Sequence, residues 1–342
     1  MISYKFVRHS YWLLAIIVLL ILVWYTVDVF LLAFAGILLA IIINSLTYVT
    51  MKYTRLSYNI SFTMVVIGLF LSILALCFFI APAISEQAAQ LYTKIPEAWN
   101  KFSNDILTFI HVKFPANTGQ QLSLQNALPK APGLLLKVSR IFTSTFGFFG
   151  NFFVILFFGL SLAYQSSLYI NGFVNLFPQH KQSQVAYTLE EINLTLRAWL
   201  AGKFLSMLII GVLTWFSLWM LDIPLAFTLA FLAAILSFIP NIGPIISAVP
   251  AILLGLLQSP MTALYVTIVY LVIQAIESYI VTPIIQQKSI SLPAGLIVFM
   301  QLIMSLLTGL LGLTLATPLL AVISVMVSTL YLKKETVVYD NP

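Results

Sequence analysis

From Leu225 to Leu257, and again from Ala294 to Tyr331, the chain carries no charged side chain. As straight helices at 1.5 Å per residue, each run would be about 50–55 Å long, against a bilayer hydrocarbon core of about 30 Å. Neither fits a single crossing without extreme tilt, and each carries helix breakers near its middle. In the first, SFIPNIGPIISAVP at Ser237–Pro250 holds three prolines, a glycine and an asparagine; in the second, Gly309 and Gly312 precede Pro318. A proline inside a helix costs about 3 kcal/mol, and no water in hydrocarbon satisfies the backbone groups it frees. Such a break is tolerable only where protein or a wet cavity surrounds it. Both lengths fit helical hairpins that enter and leave the membrane on one side.

Six further runs are long enough to cross once: Tyr11–Val27, Val29–Tyr48, Ile60–Ile80, Phe146–Tyr164, Phe204–Leu221 and Thr262–Ile284. Over the whole chain 61% of residues are hydrophobic and 8% charged, where a soluble domain carries about 25% charge. The net charge of +6 lies mostly in the gaps between apolar runs, as juxtamembrane charge does, and forms no stripe for nucleic acid. Lys5 and Arg8 ahead of Tyr11, with Ala33-x-Ala35 beyond, resemble a secretory leader, but apolar sequence continues well past them, so an uncleaved first span is expected. The single cysteine, Cys77, cannot form an intrachain disulfide.

The positive-inside rule orients these runs. Lys5, Arg8, Lys52 and Arg55 place the N-terminus in the cytoplasm, and five spans bring the chain outside at Asp222. Only if both long runs are hairpins do Lys288, Lys333 and Lys334 all fall inside. Sliding the first long run along the sequence until Pro224 meets Pro293 also superposes Gly243 on Gly312 and sets Pro240 on Gly309. Each hairpin is paired with a crossing helix, and those two helices run in opposite directions. The expected fold is therefore all-α and polytopic, with six crossing helices and two opposed re-entrant hairpins. These eight membrane segments form an inverted repeat of the kind built around broken helices in secondary transporters.

The chain divides into membrane helices 1–3 (1–82), an extracytoplasmic amphipathic region (83–145), a fourth membrane helix (146–178), a cytoplasmic amphipathic helix (179–203), a core of two span-plus-hairpin units (204–331) and a cytoplasmic tail (332–342). Region 83–145 carries six basic and three acidic residues, but loops of this length translocate largely regardless of charge. Its apolar positions at helical spacing suggest a helical cap on the membrane, with a gate or partner site as the alternative. Val185, Leu189, Ile192, Leu196 and Trp199 share one face of the cytoplasmic helix.

Catalytic patterns are lacking. The sequence has no phosphate-binding G-x-x-x-x-G-K-[ST], no G-x-S-x-G, no H-E-x-x-H and no His/Cys set at metal-ligand spacing. An enzyme, a cofactor and a resident metal are not expected. Polar groups inside apolar runs carry the chemistry instead, because unpaired they are costly in lipid. Glu277 is the only carboxylate well inside an apolar segment, with Gln274 one turn earlier on the same face. It reads as a proton, cation or substrate site, or as an interfacial residue bonded to a neighbouring helix. The hairpin tips add Ser237, Asn241, Ser247, Ser305, Thr308, Thr314 and Thr317, with backbone groups freed around Pro240, Gly243, Pro244, Gly309 and Gly312. The plainer reading makes the prolines packing kinks and bonds the hydroxyls back to their own helices. Arg197 and Lys203 read as topology anchors at the cytoplasmic entry to the fifth span, or as contacts for anionic lipid or substrate.

LSFIPNIGPIISAVPAILLGLL, IESYIVTPIIQQKSISLPAGL and TGLLGLTLATPLLAVISV, in this order, resemble the signature stretches of the AI-2E family, the autoinducer-2 exporter-like permeases of bacteria. The order of apolar runs is similar over nearly the whole chain. The resemblance implies a homo-oligomer, a pentamer, in the bacterial cytoplasmic (inner) membrane, with two hairpins around the substrate site and an elevator-like motion. It implies export of a small polar signalling molecule by some members and sodium/proton exchange by others. Ala201-Gly202-Lys203 departs from the Gly-Gln the resemblance predicts there. The reading that results is an alternating-access exporter of a small polar solute. A Na+/H+ antiporter is the first alternative and a non-transporting membrane scaffold or assembly factor the second.

Overall fold

The structure is a computed structural model that describes residues 4–75, 145–283 and 293–330, together with positions 78, 90, 94, 97 and 101. Cys77, most of region 83–145, Lys288, Lys333 and Lys334 lie outside the described residues, as do the side chains of 4–25 and 145–149. Every described element is helical, as expected of a chain whose backbone polar groups must be satisfied within each segment. The chain forms two compact units, each assembled from separated stretches: Met1–Arg55, Phe149–Arg197 and Leu292–Pro342 in one, Leu56–Phe148 and Ala198–Ser291 in the other.

In the first unit, α1 runs Tyr4–Thr54 without interruption. The two crossing helices expected on either side of Asp28 are therefore one helix of 51 residues, about 77 Å at the standard rise. Val23–Ala35 contains no glycine or proline, and one aspartate at a mid-helix position does not by itself end a helix. Gly36 of α1 lies against α3 (Thr145–Tyr164), where an added Cβ would come 2.7 Å from the Phe158 Cβ; Gly159 meets Leu39 equally closely. Two glycines thus let these helix backbones approach. After Tyr164 the chain bends by 83° into α4 (Ser166–Asn175), and the Ser161 and Tyr169 hydroxyls bond across the bend at 2.9 Å.

The last element of this unit, α9 (Ala294–Leu330), is the second long run, and it breaks as expected. Thr308 and Gly309 leave helical geometry, with Gly309 at φ 63°, ψ −135°. In a straight helix Met304 and Gly312 would be about 12 Å apart. Instead a Cβ on Gly312 would collide with the Met304 carbonyl and the Thr308 hydroxyl, so the chain reverses sharply there. Thr188, on the N-terminal half of α5 (Gln179–Met220), meets Thr329 near the end of α9, with their hydroxyls 3.1 Å apart.

The second unit contains α2 (Tyr58–Ala75), the C-terminal part of α5, and the first long run as two short helices, α6 (Ala226–Leu236) and α7 (Ile242–Gln258). At about 17 and 26 Å, neither helix crosses 30 Å alone. They pack on each other, and the run closes at its base, where Gln258 Nε2 donates to the Asp222 carbonyl at 2.8 Å. The chain thus returns to where it started, which is the hairpin expected from its length. Asn241, at φ 65°, supplies the left-handed residue at the tip, and a Cβ on Gly243 would overlap the Leu236 carbonyl. Gly243 and Gly312, the glycines that superpose in sequence, perform the same task, each seating the outgoing helix on a carbonyl of the incoming one.

Ser259 ends α7 in extended geometry and caps α8 (Pro260–Ile276), accepting from the Thr262 N–H at 3.0 Å, with Pro260 at the first helical position. Helices α5 and α8 run antiparallel: positions 218, 210 and 206 of α5 meet Val266, Ile273 and Glu277 in turn. The hairpin lies along this pair. Its base packs Leu229, Ala251 and Leu254 against Leu218 and Val266, and its tip brings Phe238 onto Trp199, with ring centroids 5.7 Å apart. Gly211 against Ala234, and Gly255 against Ala263, bring both hairpin helices close to their neighbours.

From region 83–145, Lys101 Nζ donates to the Leu256 and Leu257 carbonyls at 3.1 and 3.0 Å. These carbonyls belong to the last turn of α7, where intrahelical donors run out and a cation meets the negative end of the helix. Lys101→Met is expected to cost about 1–2 kcal/mol. Hydrogen exchange should accelerate at Leu256–Ser259 and remain unchanged at the tip; equal exchange along the whole of α7 would contradict this role.

Candidate functional site

Helix α5 places Lys203, Ser206, Ile210 and Thr214 at spacings of three and four residues, hence on one face. That face meets α8 where α8 changes geometry. From Glu277 to Val281 the turn widens to a π-helix, with the Thr282 N–H bonded back to the Glu277 carbonyl. The widening directly precedes Pro283, which lacks an N–H for a regular turn, and single π turns of this kind recur at functional sites.

Glu277 is buried, at 8% exposure. Its Oε1 accepts from Ser206 Oγ at 3.0 Å and lies 3.5 Å from Lys203 Nζ; its Oε2 accepts from Gln274 Nε2 at 3.3 Å. Of the two alternatives open for Glu277, it is bonded to a neighbouring helix, and it is also set in a crevice. The crevice is bounded by Ile210 and Thr214 of α5, Ala233 of α6, Pro244 and Ser247 of α7, and Tyr270, Ile273 and Gln274 of α8. The open space at its centre is about that of one water molecule. Tyr270 ties α8 to the hairpin, its hydroxyl donating to the Ser247 carbonyl at 3.3 Å. Thr214 is fully buried, and among the described residues its hydroxyl has no partner.

The residues singled out in the sequence divide between the two units. Pro244, Ser247, Gln274 and Glu277 line the crevice. Ser237 is buried beside the tip, with its hydroxyl donating to the Ala234 carbonyl at 2.7 Å, while Pro240 and Asn241 form the turn and Gly243 the close contact. Ser305, Thr308, Gly309, Gly312, Thr314 and Thr317 all belong to α9, in the other unit. The hydroxyls of Ser247, Thr308 and Thr314 donate to carbonyls of their own helices at 2.8–3.1 Å, leaving acceptor lone pairs. Thr317 is buried, and its hydroxyl has no partner among the described residues.

Ser206, Thr214 and Tyr270 belong to the cluster and were not singled out by pattern, while Lys203, read as a topology anchor or a contact for anionic lipid or substrate, belongs to it too. Lys203 carried the signal in plain view, a cation at helical spacing from two hydroxyls, but a lysine near a span's end reads first as an anchor. Among the described residues no three His, Cys, Asp or Glu side chains gather. The donor set is one carboxylate, one ammonium, hydroxyls and a carboxamide. It can bind hydroxyl and carbonyl groups or a small cation.

Comparison with known proteins agrees with these features. The family model described as "AI-2E family transporter" matches residues 13–332. YrrI of Bacillus subtilis is 30% identical over 151 residues, 44% of this chain and 43% of its own length; YhhT of Escherichia coli is 30% identical over 132 residues, 38% of each. Both are named as candidate transport proteins. TqsA of Escherichia coli, named an AI-2 transport protein, is 34% identical over 120 residues, 34% of this chain and 35% of its own. The chain spans less than half the length of these relatives. With several apolar helices long enough to cross a membrane and a family match over nearly its whole length, the chain belongs to the AI-2E transporter family and is a multi-pass membrane protein.

Proposed function

We propose that this protein is a secondary transporter of the bacterial cytoplasmic membrane that exports a small polar, autoinducer-2-like solute by alternating access. The observation that carries this reading is the folded-back hairpin α6–α7, which brings its proline-rich tip region to a buried cluster of one carboxylate, one ammonium and several hydroxyls. Hydroxyls, a carboxamide and freed backbone groups suit a hydroxylated or carbonyl-bearing solute. Because the crevice has room for only about one water, passage requires the hairpin to move, in an elevator-like stroke. In this reading α9 contributes the second hairpin of an inverted repeat. The C-terminus is cytoplasmic, and the carrier works as a homo-oligomer, a pentamer embedded in lipid. The name of TqsA supports the solute class.

Flux in proteoliposomes tests the reading: autoinducer-2 and small polyols are expected to cross faster than in empty vesicles, and no flux of any such solute would overturn it. For the topology, cysteines in place of Ser259 and Lys288 are expected to label from outside and inside, respectively; the reverse pattern would sink the two-hairpin arrangement. Glu277 also favours a second reading, a cation/proton antiporter in which that carboxylate alternately holds sodium and a proton. Solute flux that survives Glu277→Gln, without pH-dependent cation exchange, counts against it. A scaffold or assembly factor would instead tolerate changes at the tips and fail on changes within 83–145.

A further inference from the structure

The Glu277 carboxylate already has a cation. Lys203 Nζ lies 3.5 Å from Oε1, and both side chains are about nine-tenths buried. Around them stand neutral polar groups: the Ser206 hydroxyl on the same Oε1, the Gln274 carboxamide, which turns its Nε2 to Oε2, and the Thr214 hydroxyl, buried and without a partner among the described residues. A carboxylate flanked by hydroxyl oxygens is the hard-oxygen chemistry a bare monovalent cation needs. Here an ammonium on a four-carbon stem takes the place such an ion would fill. Two unit positive charges about 4 Å apart in a buried site repel strongly, so sodium and this ammonium exclude one another.

We propose that Lys203 is a tethered counter-ion occupying the cation position of the Glu277 crevice. The carrier therefore moves its solute without a coupled sodium ion, and the crevice takes up sodium only when that ammonium is removed. The proposal rests on the crevice being the solute site, but its test reads ion binding and needs no flux. Lys203 becomes a specificity-determining residue: it decides whether the same fold runs as a uniporter-like exporter or answers to a sodium gradient.

The full-length protein in detergent or nanodiscs is melted in sodium chloride and in choline chloride at equal ionic strength. The wild-type midpoint is expected to be the same in both salts. A midpoint raised by sodium and insensitive to choline, and no longer raised in Glu277→Gln, would overturn the proposal at once, whatever the variants do. Lys203→Gln, which removes the charge and keeps a polar side chain, is expected to gain a sodium-dependent rise of about 2 °C at ten times the dissociation constant. The double variant Lys203→Gln/Glu277→Gln should lose that rise. A folded Lys203→Gln that sodium does not stabilise also overturns it. If Lys203→Gln accumulates only when purified in sodium, the proposal is supported; if it fails in either salt while the double variant folds, it is overturned. Absence of solute flux in the wild type would sink the transport reading alone, leaving the sodium result to stand or fall by itself.

Discussion

Glu277→Ala is expected to lower stability by about 3–5 kcal/mol, because it leaves the Lys203 ammonium buried without its counter-charge. The loss comes mainly from stranding the partner and only in small part from the attraction removed. Lys203→Ala alone should cost a similar amount, by leaving the carboxylate with Ser206 and Gln274 as its remaining donors. The double replacement Lys203→Gln/Glu277→Gln should recover most of the loss, since neutral amides of similar length can share the same crevice. A thermal-stability double-mutant cycle in detergent, with Lys203→Gln and Glu277→Gln as its single variants, measures this. Strictly additive losses would show that the two side chains do not act as a pair. Solute flux should fall in the single variants, and its recovery in the neutral double variant would place the charges in stability rather than in solute binding.

A comparably large effect is expected at the hairpin tips. Gly243→Ala would place a methyl group inside the Leu236 carbonyl, and Gly312→Ala would place one against the Met304 carbonyl and the Thr308 hydroxyl. Backbone atoms cannot rotate aside as a long side chain can, so each tip must open. The expected cost is about 3 kcal/mol or more, beyond ordinary overpacking. Gly68→Ala, with nothing beyond its own stretch of helix within 4 Å among the described residues, is the matched control. In a helix interior it should gain about 0.5–1 kcal/mol. Size-exclusion profiles after a temperature ramp would rank the three variants. A Gly243→Ala protein as stable as Gly68→Ala would mean that α6 and α7 do not meet as closely as they do here.

The hairpin of the second unit was legible in the sequence for a simple reason. A charge-free run longer than the bilayer is thick, broken by proline and glycine, has few ways to satisfy its backbone. The offset that superposes the two long runs was legible too, and its meaning is now specific: Gly243 and Gly312 are the positions where side-chain volume must vanish for the chain to double back. The stretch Tyr4–Thr54 misleads for the opposite reason. Asp28 interrupts the apolar pattern without interrupting the helix, because a charge changes the solvent a helix prefers but, unlike proline, neither removes a backbone N–H nor clashes with the preceding turn.

Pattern alone could name Glu277 and Gln274 as anomalous, since a carboxylate in an apolar run needs an explanation on energetic grounds wherever it sits. It could not name their partners. Lys203 and Ser206 are distant from Glu277 in sequence, and they reach it only because α5 and α8 run antiparallel in one register with the hairpin laid along them. Spacing along one helix is local information, whereas the distance between two helices depends on how closely glycines such as Gly211 and Gly255 let their neighbours approach. The sequence by itself determined a membrane-embedded, all-helical chain with two self-reversing runs, because solvation of the backbone leaves no alternative. Only the tertiary structure decided which cation faces the buried carboxylate, because that depends on register between distant helices, and hydropathy carries no record of register.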